Sequence, residues 1–287
     1  MKISTLALLV LTNITQQACT QGSTQSSVQT TLPDQFQPQA QQQLPEQPPG
    51  QSAQPLLNPG AALPECVILL HGLARSSKAM LSLNEQLHTN GFLVVNVDYP
   101  SSEFPIAILA EKAIAPALAN CRQYPISGID FVTHSLGGIL VRQYLSQHKI
   151  PELKRVVMLA PPNKGSQVVD NLKGFGPYQW LNGPAGNELG TDPKSVPNTL
   201  GAVDFDLGVI AGTTSINLLL SLYLPNPDDG KVSLENTKVE GMRDFISLPV
   251  AHPFIMKDKE AMAQTIHFLR TGQFLHTPPA TVKNKEF

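Results

Sequence analysis

Between Glu65 and Leu275 the sequence predicts an α/β fold, a mostly parallel central sheet with helices on both faces. Short runs rich in apolar residues, Cys66–Leu70, Phe92–Val97, Ile129–Val132 and Arg155–Leu159, lack the polar alternation of a strand with one wet face. Segments of helical length separate these runs. Strands and helices in alternation build a parallel sheet covered on both sides.

Each element has its own signal. Cys66–Leu70 is unbroken and ends at His71-Gly72, as a strand buried on both faces should. Ser76 or Ser77 can cap a helix running to about Thr89, which Asn90-Gly91 closes. Phe92–Val97 is the next strand and stops at Asp98-Tyr99-Pro100. Ile106–Tyr124 reads as a helix kinked by Pro116. Ile129–Val132 is a strand, Leu136–His148 a helix, and Arg155–Leu159 a strand. Gly208–Ala211 and Phe245–Leu248 are shorter strand candidates, and Asp258–Arg270 is an amphipathic helix stopped by Gly272.

The chain of 287 residues divides by composition. Residues 1–18 read as a signal peptide: Lys2 supplies a minimal positive region, Ile3–Leu11 a short apolar one, and Gln17-Ala18-Cys19 a cleavage point. The apolar run is too short to span a bilayer. Ala18-Cys19 also resembles the end of a bacterial lipobox, with Gln16 where leucine is usual, so Cys19 is a candidate for lipidation. Residues 19–64, rich in Gln, Pro, Ser and Thr, bury too little apolar surface to offset ordering and read as a disordered linker. Residues 65–275 are the folded, catalytic region and 276–287 a tail. The expectation is an exported protein: periplasmic, secreted, or anchored to the outer membrane through Cys19. A net charge of −2 with mixed signs leaves no nucleic-acid footprint. In an oxidising compartment Cys66 and Cys121, each placed before a predicted core strand, are expected to pair. Their alternative is two small buried residues.

Chemistry enters at Thr133-His134-Ser135-Leu136-Gly137-Gly138, directly after a strand. It follows the G-x-S-x-G turn that lifts a serine hydroxyl above a sheet and runs into a helix, with Thr133 in place of the first glycine. Small neighbours let that turn pack against the adjacent strand and helix. Thr133 is larger, so that side should be looser or tilted. A serine so placed needs an acid and then a histidine later in the chain. Asp229, in Asn226-Pro227-Asp228-Asp229-Gly230-Lys231-Val232, and His252, just past Phe245–Leu248, satisfy the order. Asp228 stands beside Asp229 as the alternative acid. These segments, with His71-Gly72, all fall after predicted strands or in long connections, where sheets of this kind place their active groups.

Taken together the motifs resemble the α/β-hydrolase superfamily of serine esterases and lipases over roughly Cys66–Phe274, and small bacterial triacylglycerol lipases in particular. Leu69-Leu70-His71-Gly72-Leu73 resembles the oxyanion segment, His134-Ser135-Leu136-Gly137-Gly138 the nucleophile turn, and Asp229-Gly230-Lys231-Val232 the acid loop. Pro161-Pro162-Asn163-Lys164-Gly165-Ser166 resembles a turn of the same enzymes. The resemblance implies an α/β-hydrolase fold, compact and with a short lid-like insertion. It implies Ser135 as nucleophile, His252 as base and then acid, Asp229 as its orienting carboxylate, and the backbone N–H groups of Leu73 and Leu136 as the oxyanion hole. Asp229 is preferred to Asp228 because the family's acid immediately precedes the glycine.

The expected activity is cleavage of carboxylic esters through an acyl-enzyme, on a small-molecule or lipid ester, without a cofactor. An acyltransferase or phospholipase would use the same triad, and a non-enzymatic binding protein would have lost part of it. Some larger bacterial lipases hold calcium with an aspartate two residues after the histidine; Phe254 occupies that position here, and no metal is expected. The Gly-, Pro- and Asn-rich segment between Pro161 and Asp206 is long for one connection. Its Tyr178 and Trp180 read either as a substrate wall or lid or as cover for the sheet edge. Ile216–Leu224 is a core helix or an apolar rim for acyl chains. His71 should brace the oxyanion loop, His134 should point into its own pocket, and Arg142 should form a structural ion pair. His88, His148, His267 and His276 read as surface or satisfied side chains.

Overall fold

The computed structural model describes residues 62–216 and 218–276. The signal peptide, the linker up to residue 61 with Cys19, and the tail beyond His276 lie outside the described residues.

Six strands form one fully parallel sheet in the order β2-β1-β3-β4-β5-β6. They are β1 (Glu65–Leu70), β2 (Leu93–Val97), β3 (Gly128–His134), β4 (Leu153–Leu159), β5 (Leu207–Gly212) and β6 (Asp244–Leu248). The helices are α1 (Leu81–Thr89), α2 (Ile106–Cys121), α3 (Leu136–Leu145), α4 (Gln167–Leu172), α5 (Gly176–Asn187), α6 (Val196–Thr199), α7 (Leu218–Ser221), α8 (Leu234–Thr237) and α9 (Lys259–Thr271). Every strand read from the sequence is present and most extend one or two residues further. Ladder hydrogen bonds continue into positions where the apolar run has already ended, as at Gly128 and His134. The second helix ends at Cys121, earlier than its composition suggested, and continues through Pro116.

Alternate residues of each strand feed separate cores. Cys66, Ile68 and Leu70 of β1 join Phe131, Val156, Met158 and Val209 under α2 and α3. Val67 and Leu69 join Val132, Val157, Leu159 and Ile210 beneath α1 and α9, where Leu83, Leu87 and Phe268 close the layer. Burial on both faces is the physical reason the strands carry apolar residues without alternation.

Cys66, the second residue of β1, and Cys121, the last of α2, form a disulfide across 55 positions of sequence. Neither stands before a strand as the sequence reading had it; the bond ties a helix end to β1, the strand beside the β2 edge of the sheet. The Pro161–Asp206 connection is held by its own polar contacts. Thr191 donates its backbone N–H and hydroxyl to the Asp170 carboxylate at 3.0 and 2.6 Å. Glu188 accepts the N–H of Ile106 at 2.7 Å, capping an α2 terminus that Pro105 leaves without a side-chain cap.

Arg142 corrects one expectation. Instead of an ion pair it donates to the carbonyls of Asn163 and Gly201, at 2.9 and 2.7 Å, and to the Asn163 side chain at 3.2 Å. Carbonyl groups from the two ends of the Pro161–Asp206 connection converge on the buried side chain, and desolvation lowers its pKa to about 10.

Candidate active site

The sheet order reverses between β1 and β3. The chain leaves β1 toward β2 and returns to build the other half from β3, so the loops after β1 and β3 part to opposite faces. A crevice opens at such a switch point. Ser135 follows β3 immediately and His71-Gly72 follows β1. A Cβ placed on Gly72 would lie 3.3 Å from the Ser135 Cβ, which measures how closely the two loops approach.

Ser135 adopts φ 52° and ψ −117°, a conformation costing L-residues on the order of 1–3 kcal/mol. Its N–H donates to Leu159 O at 2.9 Å and its carbonyl accepts from Gly138 N at 3.0 Å, so both sides of the strained turn are tied. Ala74 and Ala160, in the connections that leave β1 and β4, are the other non-glycine residues of positive φ among those described. Strain therefore collects along the carboxyl edge of the sheet. Gly137 has a steric cause: a Cβ there would stand 2.7 Å from the Leu70 carbonyl oxygen. Thr133 packs without exposure between its register partners Leu70 and Met158, and among the described residues its hydroxyl has no hydrogen-bond partner. The turn accommodates the extra bulk and leaves that oxygen unsatisfied.

Three side chains meet at the crevice. His252 Nδ1 donates to Asp229 Oδ2 at 2.7 Å, and Nε2 lies 3.1 Å from Ser135 Oγ, placed to accept its proton. The other Asp229 oxygen accepts the N–H groups of Lys231 and Val232 at 3.0 and 2.8 Å. The His252 N–H donates to the Asp229 carbonyl at 3.0 Å, joining the two loops a second time. Asp228 faces away from His252: its carboxylate accepts from Gly230 N and the Ser221 hydroxyl. Of the two acids weighed from sequence, the structure brings Asp229 to the imidazole.

Burial favours the neutral form of both neighbouring histidines. His71 accepts the Tyr99 N–H at Nε2 (3.3 Å), so Nδ1 carries the proton and donates to Gly72 O at 2.9 Å. Its ring stacks on Tyr99 at 4.0 Å, and the Tyr99 hydroxyl donates to the His71 carbonyl. Burial holds its pKa below the usual histidine value despite the Gly72 carbonyl and Asp98. Because a peptide unit is planar, fixing the Gly72 carbonyl also fixes the direction of the Leu73 N–H. Leu136 opens α3, where a backbone N–H has no partner within the helix. His134, nearly inaccessible, donates from Nε2 to the His252 carbonyl at 3.1 Å and tilts against that ring at 4.9 Å. Burial first, then the neighbouring His252, keeps its pKa well below the ordinary value. The sequence reading pointed His134 into a pocket of its own; the structure turns it to the His252 loop instead.

Another contact lacked a sequence signal beyond its motif. Ser166, the last residue of the Pro161–Ser166 turn, donates from Oγ to the Lys231 carbonyl at 2.6 Å, and Asn236 Nδ2 donates to the Gly165 carbonyl at 3.0 Å. That turn anchors the loop bearing Asp229. Tyr178 and Trp180 both lie on α5: Tyr178 packs on the core, whereas Trp180 is 85% exposed. Neither makes a hydrogen bond or ring contact with Ser135 or His252. In the Ile216–Leu224 segment Ile216, Leu222 and Tyr223 are exposed and Leu224 is buried. No group of three or more His, Cys, Asp or Glu side chains among the described residues is placed to hold a metal ion.

A parallel sheet in this order, with a serine on a strained turn after β3, defines an α/β-hydrolase domain. Residues 65–192 match the family model for the alpha/beta hydrolase fold. The chain is similar in structure to the Bacillus licheniformis lipase BlEst2 in mature form, at 20% identity and TM-score 0.57, over 76% of this chain and 96% of that one. Phospholipase PlaB from Legionella pneumophila, in complex with thio-NAD, is similar at 16% identity and TM-score 0.52, over 72% of this chain and 62% of its own. No curated protein sequence matches the chain.

Proposed function

We propose that this α/β hydrolase is a carboxylic-ester hydrolase acting through an acyl-enzyme on Ser135. The observation that carries the reading is the continuous hydrogen-bonded path Asp229–His252–Ser135, at 2.7 and 3.1 Å. Asp229 accepts at Oδ2, so His252 keeps its proton on Nδ1 and a lone pair on Nε2. That lone pair takes the serine proton as Oγ attacks the ester carbonyl carbon. The N–H groups of Leu73 and Leu136 stabilise the oxyanion as it forms. His252 then passes the proton to the departing alkoxide, leaving an acyl-serine and a free alcohol. Water, deprotonated by the same Nε2, attacks the acyl carbon; the serine recovers its proton and the carboxylic acid leaves.

An apolar acyl portion fits the surroundings. Leu222 is 81% exposed, and Ile216, Tyr223, Trp180 and Phe254 are also exposed, large apolar side chains of the kind a lipid surface would cover. Similarity to a lipase and a phospholipase supports the same class. The Cys66–Cys121 disulfide supports export to an oxidising compartment, and the mass of the mature N-terminus tests both cleavage and lipidation at Cys19.

Purified protein tested on chromogenic esters of increasing acyl length, beside Ser135→Ala and His252→Ala, decides the matter. Both variants should fold and lose at least about a thousandfold in kcat. Retained turnover in Ser135→Ala would remove the proposal. A rate that climbs once a long-chain ester exceeds its solubility marks a lipase, and a rate that saturates below that point marks an esterase.

A further inference from the structure

Ser166 heads an unbroken run of hydrogen bonds that ends on the nucleophile. Its Oγ accepts the Val168 N–H at 3.2 Å as the N-cap of α4, which leaves the hydroxyl proton to point elsewhere. That proton goes to the Lys231 carbonyl at 2.6 Å, an oxygen that can only accept. The Lys231 carbonyl and the Val232 N–H belong to one trans peptide unit, which is planar and carries the two groups on opposite edges. Val232 N–H donates in turn to Asp229 Oδ1 at 2.8 Å. From there the run continues through Oδ2 to His252 at 2.7 Å and on to Ser135 at 3.1 Å.

The donor end of this run is fixed from several sides. Ser166 is buried, and its N–H donates to Leu189 O at 2.9 Å. Gly165 before it has φ 81°, and a Cβ there would stand 1.9 Å from the Gly190 carbonyl oxygen, so the turn is pressed against its own connection. Asn236 Nδ2 donates to Gly165 O at 3.0 Å and Asn163 Nδ2 to Thr237 O at 2.8 Å, which hold the turn to the segment after Asp229. Arg142, on the helix that begins after Ser135, donates to the Asn163 carbonyl at 2.9 Å. The nucleophile's helix and the acid's loop therefore refer to one buried turn. With both edges held, the Lys231–Val232 peptide cannot rotate without breaking a hydrogen bond, and a peptide polarised at its oxygen is a better donor at its nitrogen. Among the described residues Ser166 makes no hydrogen bond to Ser135 or His252, so its influence on them passes through Asp229.

Resting on the esterase reading above, we propose that Ser166 is a positioning residue of the ester hydrolysis, a fourth side chain behind the triad that aligns the Asp229 carboxylate with His252 by way of the Lys231–Val232 peptide. Without its hydroxyl that peptide is free to turn, Oδ1 loses a fixed donor, and Oδ2 drifts from Nδ1. His252 then spends less time with its proton on Nδ1 and its Nε2 lone pair aimed at the serine hydroxyl. Substrate contacts are unchanged, so the loss falls on kcat and not on KM.

The test measures kcat and KM on a soluble short-chain ester for wild type, Ser166→Ala, Ser166→Thr, Asp229→Asn and Ser166→Ala/Asp229→Asn, each checked for folding by circular dichroism. Ser166→Ala should lower kcat about tenfold and leave KM within about twofold. Threonine keeps both the donor and the cap, and should recover kcat to within about threefold of wild type. In Asp229→Asn the imidazole already carries the wrong tautomer, so adding Ser166→Ala should cost less than about twofold; general damage to the fold would cost the same factor in both backgrounds. A second readout needs no substrate. The His252 Nδ1–H proton, far downfield in the proton NMR spectrum and identified by its absence in His252→Ala, should move upfield in Ser166→Ala. An unchanged kcat in Ser166→Ala, an alanine-like kcat in folded Ser166→Thr, an equal loss in both backgrounds or an unmoved resonance overturns the proposal. Failure of the esterase reading shows separately, as ester hydrolysis that survives Ser135→Ala, and leaves the resonance test intact.

Discussion

Asp229→Asn tests the proposed chemistry at its most constrained point. Asp229 Oδ1 accepts two backbone N–H groups, from Lys231 and Val232, while Oδ2 receives His252 Nδ1–H at 2.7 Å. Asparagine fits the same space, but only its carbonyl oxygen can satisfy both backbone donors. Its NH₂ is thereby turned toward Nδ1, which must become an acceptor. The imidazole proton moves to Nε2, the nitrogen 3.1 Å from Ser135 Oγ, and a protonated Nε2 cannot take the serine proton. A wrong tautomer of this kind lowers kcat on the order of 10³–10⁴-fold, about 4–5.5 kcal/mol of barrier. KM should stay within about threefold, since no substrate contact changes. Asp228→Asn is the internal control. Its amide can still accept from Gly230 N and meet the Ser221 hydroxyl, so kcat should hold within about threefold. Steady-state hydrolysis of a soluble short-chain ester between about pH 6 and pH 9, normalised by active-site titration, measures both. If Asp229→Asn keeps more than about a tenth of wild-type kcat, or Asp228→Asn is the more damaging change, the tautomer argument fails.

Other consequences concern stability. Asp130 on β3 is fully buried, with one oxygen accepting the Arg155 N–H at 2.9 Å and the other without a partner among the described residues. Desolvation, then Glu65, pushes its pKa from 3.8 up to about 7. Between those values the unfolded chain has released a proton that the folded one keeps, so stability should fall as pH rises from about 4 to about 7, by about 4 kcal/mol at most. Urea unfolding across this range should show the slope in wild type and its loss in Asp130→Asn; equal slopes would show that Asp130 ionises without cost. Thr133→Val removes a buried hydroxyl without a partner and should stabilise the fold by about 1 kcal/mol, read from the denaturation midpoint. A loss of stability there would mean that the hydroxyl is satisfied in solution. Reduction of the Cys66–Cys121 bond releases a loop of 55 positions and should cost about 2–4 kcal/mol, measured by unfolding with and without a thiol reductant. An unchanged midpoint would show that the bond constrains nothing.

The strands were legible because burial on both faces leaves unbroken apolar runs. Ser135 was legible because a strand, a serine and two glycines can be read locally. Asp229 and His252 were readable as an ordered pair, although their approach depends on two long connections. Harder to see were contacts that a side chain makes with distant backbone. Arg142 finds the carbonyls of Asn163 and Gly201, and nothing in its charge says that it will choose carbonyls over a carboxylate. Ser166 reaches the Lys231 carbonyl across 65 positions, and His134 reaches that of His252 across 118. Backbone carbonyls look the same at every residue, so sequence patterns carry no trace of which one is chosen. Trp180 illustrates a different gap: an aromatic in a long connection packs inward or outward according to a helix rotation that a Gly-rich stretch leaves open.

His134 has a consequence for how the site tolerates change. Ser135 follows β3 and His252 follows β6, three places away in the sheet, and their spacing would ordinarily accumulate the drift of every strand and loop between them. The side chain next to the serine instead holds the carbonyl of the histidine directly, at 3.1 Å. It works as a tie rod between two loops, joining the end of β3 to the loop after β6. The connection before Asp229 can therefore lengthen, shorten or change composition while the gap between hydroxyl and imidazole is set locally. Variation in the walls of the crevice is in this way uncoupled from the alignment of its reacting atoms.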